Sequence, residues 1–447
     1  MKFNLGARIS PRLYFERNLK RKTAFMNSTS HSGSETFRIS MLLNDTRYRS
    51  MTIQTIALIA FIMLVFWIVN NTVSNLASLG KPVEFGFFSE PASYDINQRL
   101  VEYTSRDSHL RASFVGLLNT IVVAIIGCIT ATIIGVFIGI SRLSKNWIVS
   151  RLMAVYVEMF RNVPVLLWIL LAMAIMIETP PAPKEFRGAE PAASMFLNDS
   201  VAITNRGVYV PEPLFGNPIG DVSLFGESSL RFDVSLDFVA ILLLLFVSFY
   251  ISLQLRKRAD RVQNDTGQRP TIWHLRTLVI FFPTLFLLWI LDFHLGYPEL
   301  KGFNFKGGTH LRNSLIALWL ALSLYTAAFI AEIVRAGILA IPKGQSEAAA
   351  SLGLRPSRIM SLVILPQALR VIIPPLISNF LNLTKNSSLA IAVGYMDITG
   401  TLGGITLNQT GRELECILIL MLIYLGMSLT ISAAMNWYNN SVKLVER

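Results

Sequence analysis

Eight apolar runs constrain this chain more than any other feature: they lie at approximately 52–70, 113–140, 153–177, 236–255, 275–291, 312–334, 369–393 and 416–437. A hydrocarbon core about 30 Å thick is crossed by about 20 helical residues rising 1.5 Å each. The runs therefore predict an all-α polytopic membrane protein with about eight transmembrane helices. The fifth run is the shortest and contains Pro283. A chain that is 52% hydrophobic and 15% charged, with a mean hydropathy of +0.50, is too apolar for a soluble protein.

The formal charge of +12 would point to nucleic acid in a soluble chain, but in a membrane protein the distribution of the charge matters more. With the amino terminus inside, the segments 1–51, 141–152, 256–276, 335–370 and 438–447 hold about 26 Lys and Arg, against about 12 on the other side. Both termini are thus expected in the cytoplasm, with no role for nucleic acid. The first fifty residues contain no apolar stretch long enough for a signal peptide, so the first span is expected to act as the insertion signal. Residues 1–51 read as a basic arm, with the cluster Arg17 to Lys22 and the low-complexity run Asn27 to Glu35. Cys128 and Cys416 both fall in apolar runs and indicate neither a disulfide framework nor a metal site.

Between the sixth and seventh runs lies EAAASLGLRPSRIMSLVILP, residues 347–366. Glu347 to Leu352 is rich in helix formers, and Gly353 sits where a helix end wants a residue tolerant of positive φ. Pro356 can open a second helix, and Pro366 can end or bend it. The pattern predicts two helical pieces joined by a rigid bend. Glu347-Ala348-Ala349, Gly353, Val363 and Leu365-Pro366 resemble the EAA loop of bacterial ABC importer permeases, with Val363 in place of the usual Ile. The flanking strings AEIVRAGILAIPKGQ and PQALRVIIPPLISNFLNLTKNSSLA are similar to the polar amino-acid branch of that family, the His/Glu/Gln/Arg/opine permeases. The resemblance implies a type I permease core of five helices. It also implies that Glu347, Ala348, Ala349, Gly353, Arg355 and Pro366 dock on a separate ATPase.

Five runs suffice for that core, which divides the chain. The basic arm covers 1–51, and an extra first helix with a periplasmic loop covers 52–112. The first two core helices cover 113–177, and an insertion with two further helices covers 178–311. The last three core helices, with the coupling loop 335–370, cover 312–447. This layout, together with FGFF near Phe85, resembles the larger Q-type permeases of general L-amino acid importers. The loops 71–112 and 178–235 carry Pro, Gly, Asn and Ser punctuation and read as having little regular structure.

On a helix, Ser378, Asn379, Asn382, Lys385 and Asn386 share an arc of about 120° at 100° per residue. Inserting an ammonium near mid-bilayer costs about 2.5–3.5 kcal/mol, so Lys385 must face a partner, a cavity or water. The stripe either lines a substrate path or ties helices together by hydrogen bonds. By resemblance, Asn379, Asn382, Lys385, Asn386, Ser387 and Ser388 belong to the path. Glu158 with Arg161, and Glu332 with Arg335, are spaced i, i+3 and read as ion pairs or as further path residues. Pro374-Pro375 marks either a discontinuity of the seventh span or a static kink.

No G-x-x-x-x-G-K-[ST], H-E-x-x-H or G-x-S-x-G occurs, so nucleotide-binding, zinc-protease and hydrolase readings are excluded and no enzyme activity is expected. The chain itself would hold no cofactor; ATP and Mg would be bound by the partner ATPase. The expected function is the permease subunit of an ATP-driven importer of polar L-amino acids in the bacterial inner membrane. Its expected partners are a second, homologous permease in a heterodimer, two ATPase subunits and a periplasmic binding protein. A gradient-driven secondary transporter is the alternative; it would need intramembrane carboxylates, for which only Glu158 and Glu332 are candidates.

Overall fold

Gly135 and Gly139, four residues apart on one helix face, set how closely two helices approach. A computed structural model describes residues 46–187, 191–226 and 228–442. A Cβ on Gly135 would lie 2.7 Å from the Ile330 side chain and 2.9 Å from the Ala327 carbonyl, and one on Gly139 would lie 2.8 Å from the Ala331 carbonyl. Small residues at this spacing let backbones pack closely where lipid provides no hydrophobic drive. The helices so joined are α2 (His109–Ser141) and α7 (Asn313–Leu339). Trp319 Nε1 donates to Thr130 Oγ1 at 3.1 Å, and higher residues on one helix meet higher residues on the other, so the two run parallel.

Within the unit from Val83 onward, the other described elements form around this seam or extend from it. Helix α1 (Thr46–Ser78) belongs to a separate unit, residues 1–82, and its apolar window is wholly exposed. The arm expected over 1–51 falls almost entirely outside the described residues. In the second unit, α3 (Trp147–Asn162) and α4 (Val165–Glu178) follow α2. After an insertion come α7, α8 (Lys343–Ser351), the single turn α9 (Pro356–Ile359), α10 (Leu365–Asn386) and α11 (Glu413–Val442). Helix α7 is the hub, with 72% of its apolar window inside the molecule. Its Leu322 shares one apolar core with Val123, Ala131, Ile169, Ile372 and Leu383.

The third apolar run is not one straight helix. The residue before a proline is pushed out of the helical region, and Val163 is extended at φ −108°, ψ 133°. Helices α3 and α4 consequently meet at 106°. The pair Pro374-Pro375 behaves in the opposite way: α10 stays helical through both prolines. Asn379 Nδ2 donates to the Pro375 carbonyl at 3.0 Å. Of the two alternatives there, discontinuity or kink, the discontinuity is not seen at the prolines; a 3₁₀ stretch, Ser387–Val393, follows α10 later. Pro366 does not end its helix either; a π-helical turn, Met360–Ile364, runs directly into α10 around it.

The insertion is less irregular than its turn residues suggest. Its described residues form nine short strands: β1 (Ala202–Thr204), β2 (Gly207–Val210), β3 (Glu212–Phe215), β4 (Asp221–Leu224), β5 (Phe232–Ser235), β6 (Phe293–Gly296), β7 (Glu299–Lys301), β8 (Asn304–Lys306) and β9 (Thr309–Arg312). All pair antiparallel, as one three-stranded sheet β1-β2-β9 and three two-stranded ones. Between β5 and β6 runs a helical hairpin, α5 (Leu236–Thr266) and α6 (Trp273–Ile290), and Pro283 leaves α6 unbroken. Strand β9 leads straight into α7, so the strands mark one end of the bundle, the strand end. The turns 142–146, 267–272 and 340–364 mark the other, the loop end.

Candidate functional site

At the loop end, α8 and α9 form the two-armed element expected from the sequence. Helix α8 stops because Gly353 adopts φ +75°, a left-handed conformation that costs an L side chain about 1–2 kcal/mol. Gly353 N donates to the Ala350 carbonyl at 2.9 Å. Arg355 is extended and Pro356 opens α9 at its first position. Ala349 and Ile359 are buried, one from each arm. Glu347, Ala348, Gly353 and Arg355 are exposed, Pro366 is half-buried, and Leu352 stands 81% exposed at the bend. A rigid polar knob with an apolar tip is thereby presented to solvent.

The stripe on α10 lies on its unpacked face. Ile372, Ile373, Ile377 and Leu383 turn inward, whereas Ser378, Asn382 and Lys385 are exposed and Asn379, Asn386 and Ser388 are half-exposed. Ser387 stands apart: it is fully buried and donates to the Thr384 carbonyl at 2.7 Å. Leu383 packs on Gly127, two residues from Ile125, the midpoint of α2. Lys385 is therefore near mid-depth, and among the described residues no hydrogen bond or ion pair holds its Nζ.

Beyond Ser387 the backbone turns back at membrane depth, and α2 supplies the polar groups that this requires. Ile398 N donates to Thr120 Oγ1 at 3.0 Å, Asn119 Nδ2 donates to the Met396 carbonyl at 2.9 Å, and Tyr395 OH donates to the Asn119 carbonyl at 3.3 Å. Asp397 is fully buried and accepts from Gly400 N at 2.8 Å and from Tyr424 OH at 3.3 Å. Sequence reasoning missed these residues. The signal was present, since Asn119-Thr120 interrupts the second apolar run.

These elements have close counterparts. Residues 269–444 match the family model described as the binding-protein-dependent transport system inner membrane component. The glutamate/glutamine/aspartate/asparagine transport system permease protein BztB of Rhodobacter capsulatus is 57% identical over 419 residues, 92% of this chain and 97% of its own length.

The chain belongs to this family of inner-membrane transport components.

The general L-amino acid transport system permease protein AapQ of Rhizobium johnstonii is 41% identical over 93% of this chain and 97% of its own length. The putative amino-acid ABC transporter permease protein YhdX of Escherichia coli K12 is 40% identical over 94% of this chain and the whole of its own. As a member, the chain is a multi-pass permease subunit of an ABC importer in the bacterial inner membrane, not an enzyme. It works with an ATPase and a binding protein.

Within this permease the charged pairs differ from their spacing. Glu332 is shared by three arginines: Arg142 from the turn after α2, Arg335 at 3.0 Å on its own helix, and Arg161 at 3.9 Å from α3. Arg161 thus reaches across to α7 instead of pairing with Glu158, which accepts from Asn162 at 3.4 Å. At the strand end a polar cleft of about 590 Å³ opens between residues 102–111 and 228–231. Its buried wall is Arg111, whose guanidinium donates to the carbonyls of Glu102, at 2.6 Å, and Arg231.

Proposed function

We propose that this permease carries polar L-amino acids, the acidic ones and their amides first, along the stripe of α10. It does so as one half of a two-permease pore with a homologous, non-identical partner. The observation that supports this most directly is Lys385, an exposed ammonium that has no partner among the described residues and lies near the level of the middle of α2. Lipid is excluded as its surroundings by the cost of a bare charge there, which leaves a wet path or a second chain. Asn379, Asn382, Asn386 and Ser388 flank it with donors and acceptors suited to a zwitterion.

In this reading the loop end is cytoplasmic, in keeping with the basic residues there, and each of two ATPase subunits seats one 347–366 element. The buried pair Ala349 and Ile359 keeps the bend stiff, so closure of the ATPases on ATP moves α8 and α9 as a unit. Because α9 runs through the π turn into α10, that movement reaches the stripe directly. The five core helices then rock between states open to either side. The strand end faces the binding protein, and the cleft at Arg111 belongs to the mouth. A gradient-driven cycle finds no support: Glu332 is clamped by three arginines, and Glu158 lies on an exposed helix face.

The test is uptake of glutamate, glutamine, aspartate and asparagine by proteoliposomes holding this chain, its partner permease and the ATPase, with the binding protein outside. Uptake is expected to need internal ATP and to survive an ionophore. Lys385→Met is expected to cut it about tenfold or more, with the ATPase still co-purifying. Normal uptake by Lys385→Met, or uptake that needs no ATP and collapses with an ionophore, overturns the reading.

A further inference from the structure

The hairpin α5–α6 carries a charged head at the loop end, away from the α10 stripe in sequence. Helix α5 is 31 residues long, but its apolar part ends at Leu255; from Arg256 it continues through Arg-Lys-Arg-Ala-Asp-Arg until Gly267 closes it at φ +71°. Twenty residues at 1.5 Å already cover the hydrocarbon, about 30 Å, so the final 11 residues of α5 project beyond it.

The depth of that boundary is fixed from the other arm. Arg276 Nε donates to Ser252 Oγ at 3.0 Å, so the first turn of α6 lies level with Ser252. Trp273, 63% exposed, is one turn further out, the position tryptophan takes among headgroups. Arg256, Lys257 and Arg258 lie about 6–9 Å beyond Ser252 on α5, at the same level or just past it, and Arg261 follows one turn later. Of the cations between 256 and 276, two are engaged: Arg269 with Asp260 at 2.8 Å, and Arg276 with Ser252. The other four are exposed and, among the described residues, have no ion pair or hydrogen bond. The hairpin buries little: nothing on α6, and only Asp237, Ser248, Ser252 and Ala259 on α5.

We infer that this head binds anionic phospholipid headgroups, with Arg256, Lys257, Arg258 and Arg261 on the phosphates and Trp273 anchoring the level. Charge complementarity selects the occupant: a cluster of unneutralised cations immediately beside a lipid-facing helix meets the membrane's own anionic lipids first. Such binding is independent of the substrate path and requires only that the hairpin cross the bilayer.

Native mass spectrometry of the full-length protein with equal phosphatidylglycerol and phosphatidylethanolamine tests it. Wild type is expected to retain phosphatidylglycerol preferentially, and to lose that preference as salt is raised. The variant R256Q/K257Q/R258Q/R261Q is expected to retain about tenfold less phosphatidylglycerol, whereas R256K/R258K/R261K keeps it. Equal retention by wild type and the glutamine variant overturns the inference. So does a glutamine variant that keeps the lipid and loses the ATPase, which makes the head a protein contact. Should the glutamine variant not insert, wild-type retention that ignores salt is equally decisive against it.

Discussion

Arg142, the first residue after α2, is bonded to Glu332 on α7, 190 positions later, so one carboxylate joins the loop-end tips of the two helices that form the tightest seam. Replacing it with Gln leaves Arg142, Arg161 and Arg335 facing one another without a counter-charge. Their side chains are 11% to 37% exposed, so solvent screening holds the expected cost to about 1–3 kcal/mol, below that of a sealed pair. Thermal unfolding of Glu332→Gln, Arg142→Gln and the double variant in detergent measures it. The double variant is expected to cost about 1 kcal/mol less than the sum of the singles, and strict additivity means that the contact carries no coupling.

The seam itself has no spare room. Gly135→Val must push apart Ile330 and the Ala327 carbonyl, and overpacking of this kind costs about 1–3 kcal/mol. At Gly344 in α8 an added Cβ would meet nothing within 4 Å, so Gly344→Ala is expected to be stabilising by about 0.5–1 kcal/mol through lost chain freedom. Melting temperatures moving in opposite directions support the packing described; a Gly135→Val variant as stable as wild type contradicts it.

At the coupling element the proposed role depends on a left-handed residue. Asn accepts that conformation and a β-branched residue does not, so Gly353→Asn should bind the ATPase normally while Gly353→Val recovers about fivefold less in a pull-down. Glu347→Arg, which leaves the backbone alone, separates charge from shape. Equal recovery of both Gly353 variants shows that the partner does not read the bend.

His310 on β9 stacks on Tyr209 of β2, with ring centroids 4.2 Å apart and planes within 1°. Burial holds its pKa below the ordinary 6.5, the nearby Arg206 carbonyl opposes this, and Arg312 adds to the depression. A histidine with a lowered folded pKa contributes its full stability above the unfolded value and loses it as pH falls below that value. Corrected amide-exchange protection across β2 and β9 is therefore expected to be flat above about pH 7 and to decline below about 6.5. His310→Gln should be insensitive over the same range; a wild-type profile with no decline rules out His310 as the cause.

Hydropathy made the membrane helices legible, because a run of bilayer length has few other solutions. Proline was the less faithful guide. Pro164 hid inside a continuous apolar run yet bends the chain through 106°, while Pro374-Pro375, readable as a break or as a kink, leaves α10 helical. The difference lies in the residue before each proline: Val163 leaves the helical region, whereas α10 stays helical through Pro374 and Pro375. Strands of three or four residues are too short for alternation to register, so the insertion read as irregular. The i, i+3 spacing of Glu158 and Arg161 was real, but a longer arm lets Arg161 reach a different helix, a choice made by tertiary packing alone. For the α10 stripe, helical phase located the face; Ser387, joined to it by resemblance alone, lies outside that arc at 100° per residue and is buried, donating to the Thr384 carbonyl.

The parallel pairing of α2 with α7 also has a consequence for biogenesis. Gly139 leaves the ribosome well before Ala331, which follows 192 positions later. At about 5–20 residues per second, the glycine face of α2 waits about 10–40 s for its mate. Meanwhile α3, α4 and the α5–α6 hairpin must all enter the membrane without occupying that face, so the nascent permease has to be shepherded past competitors for a groove that it has already cut.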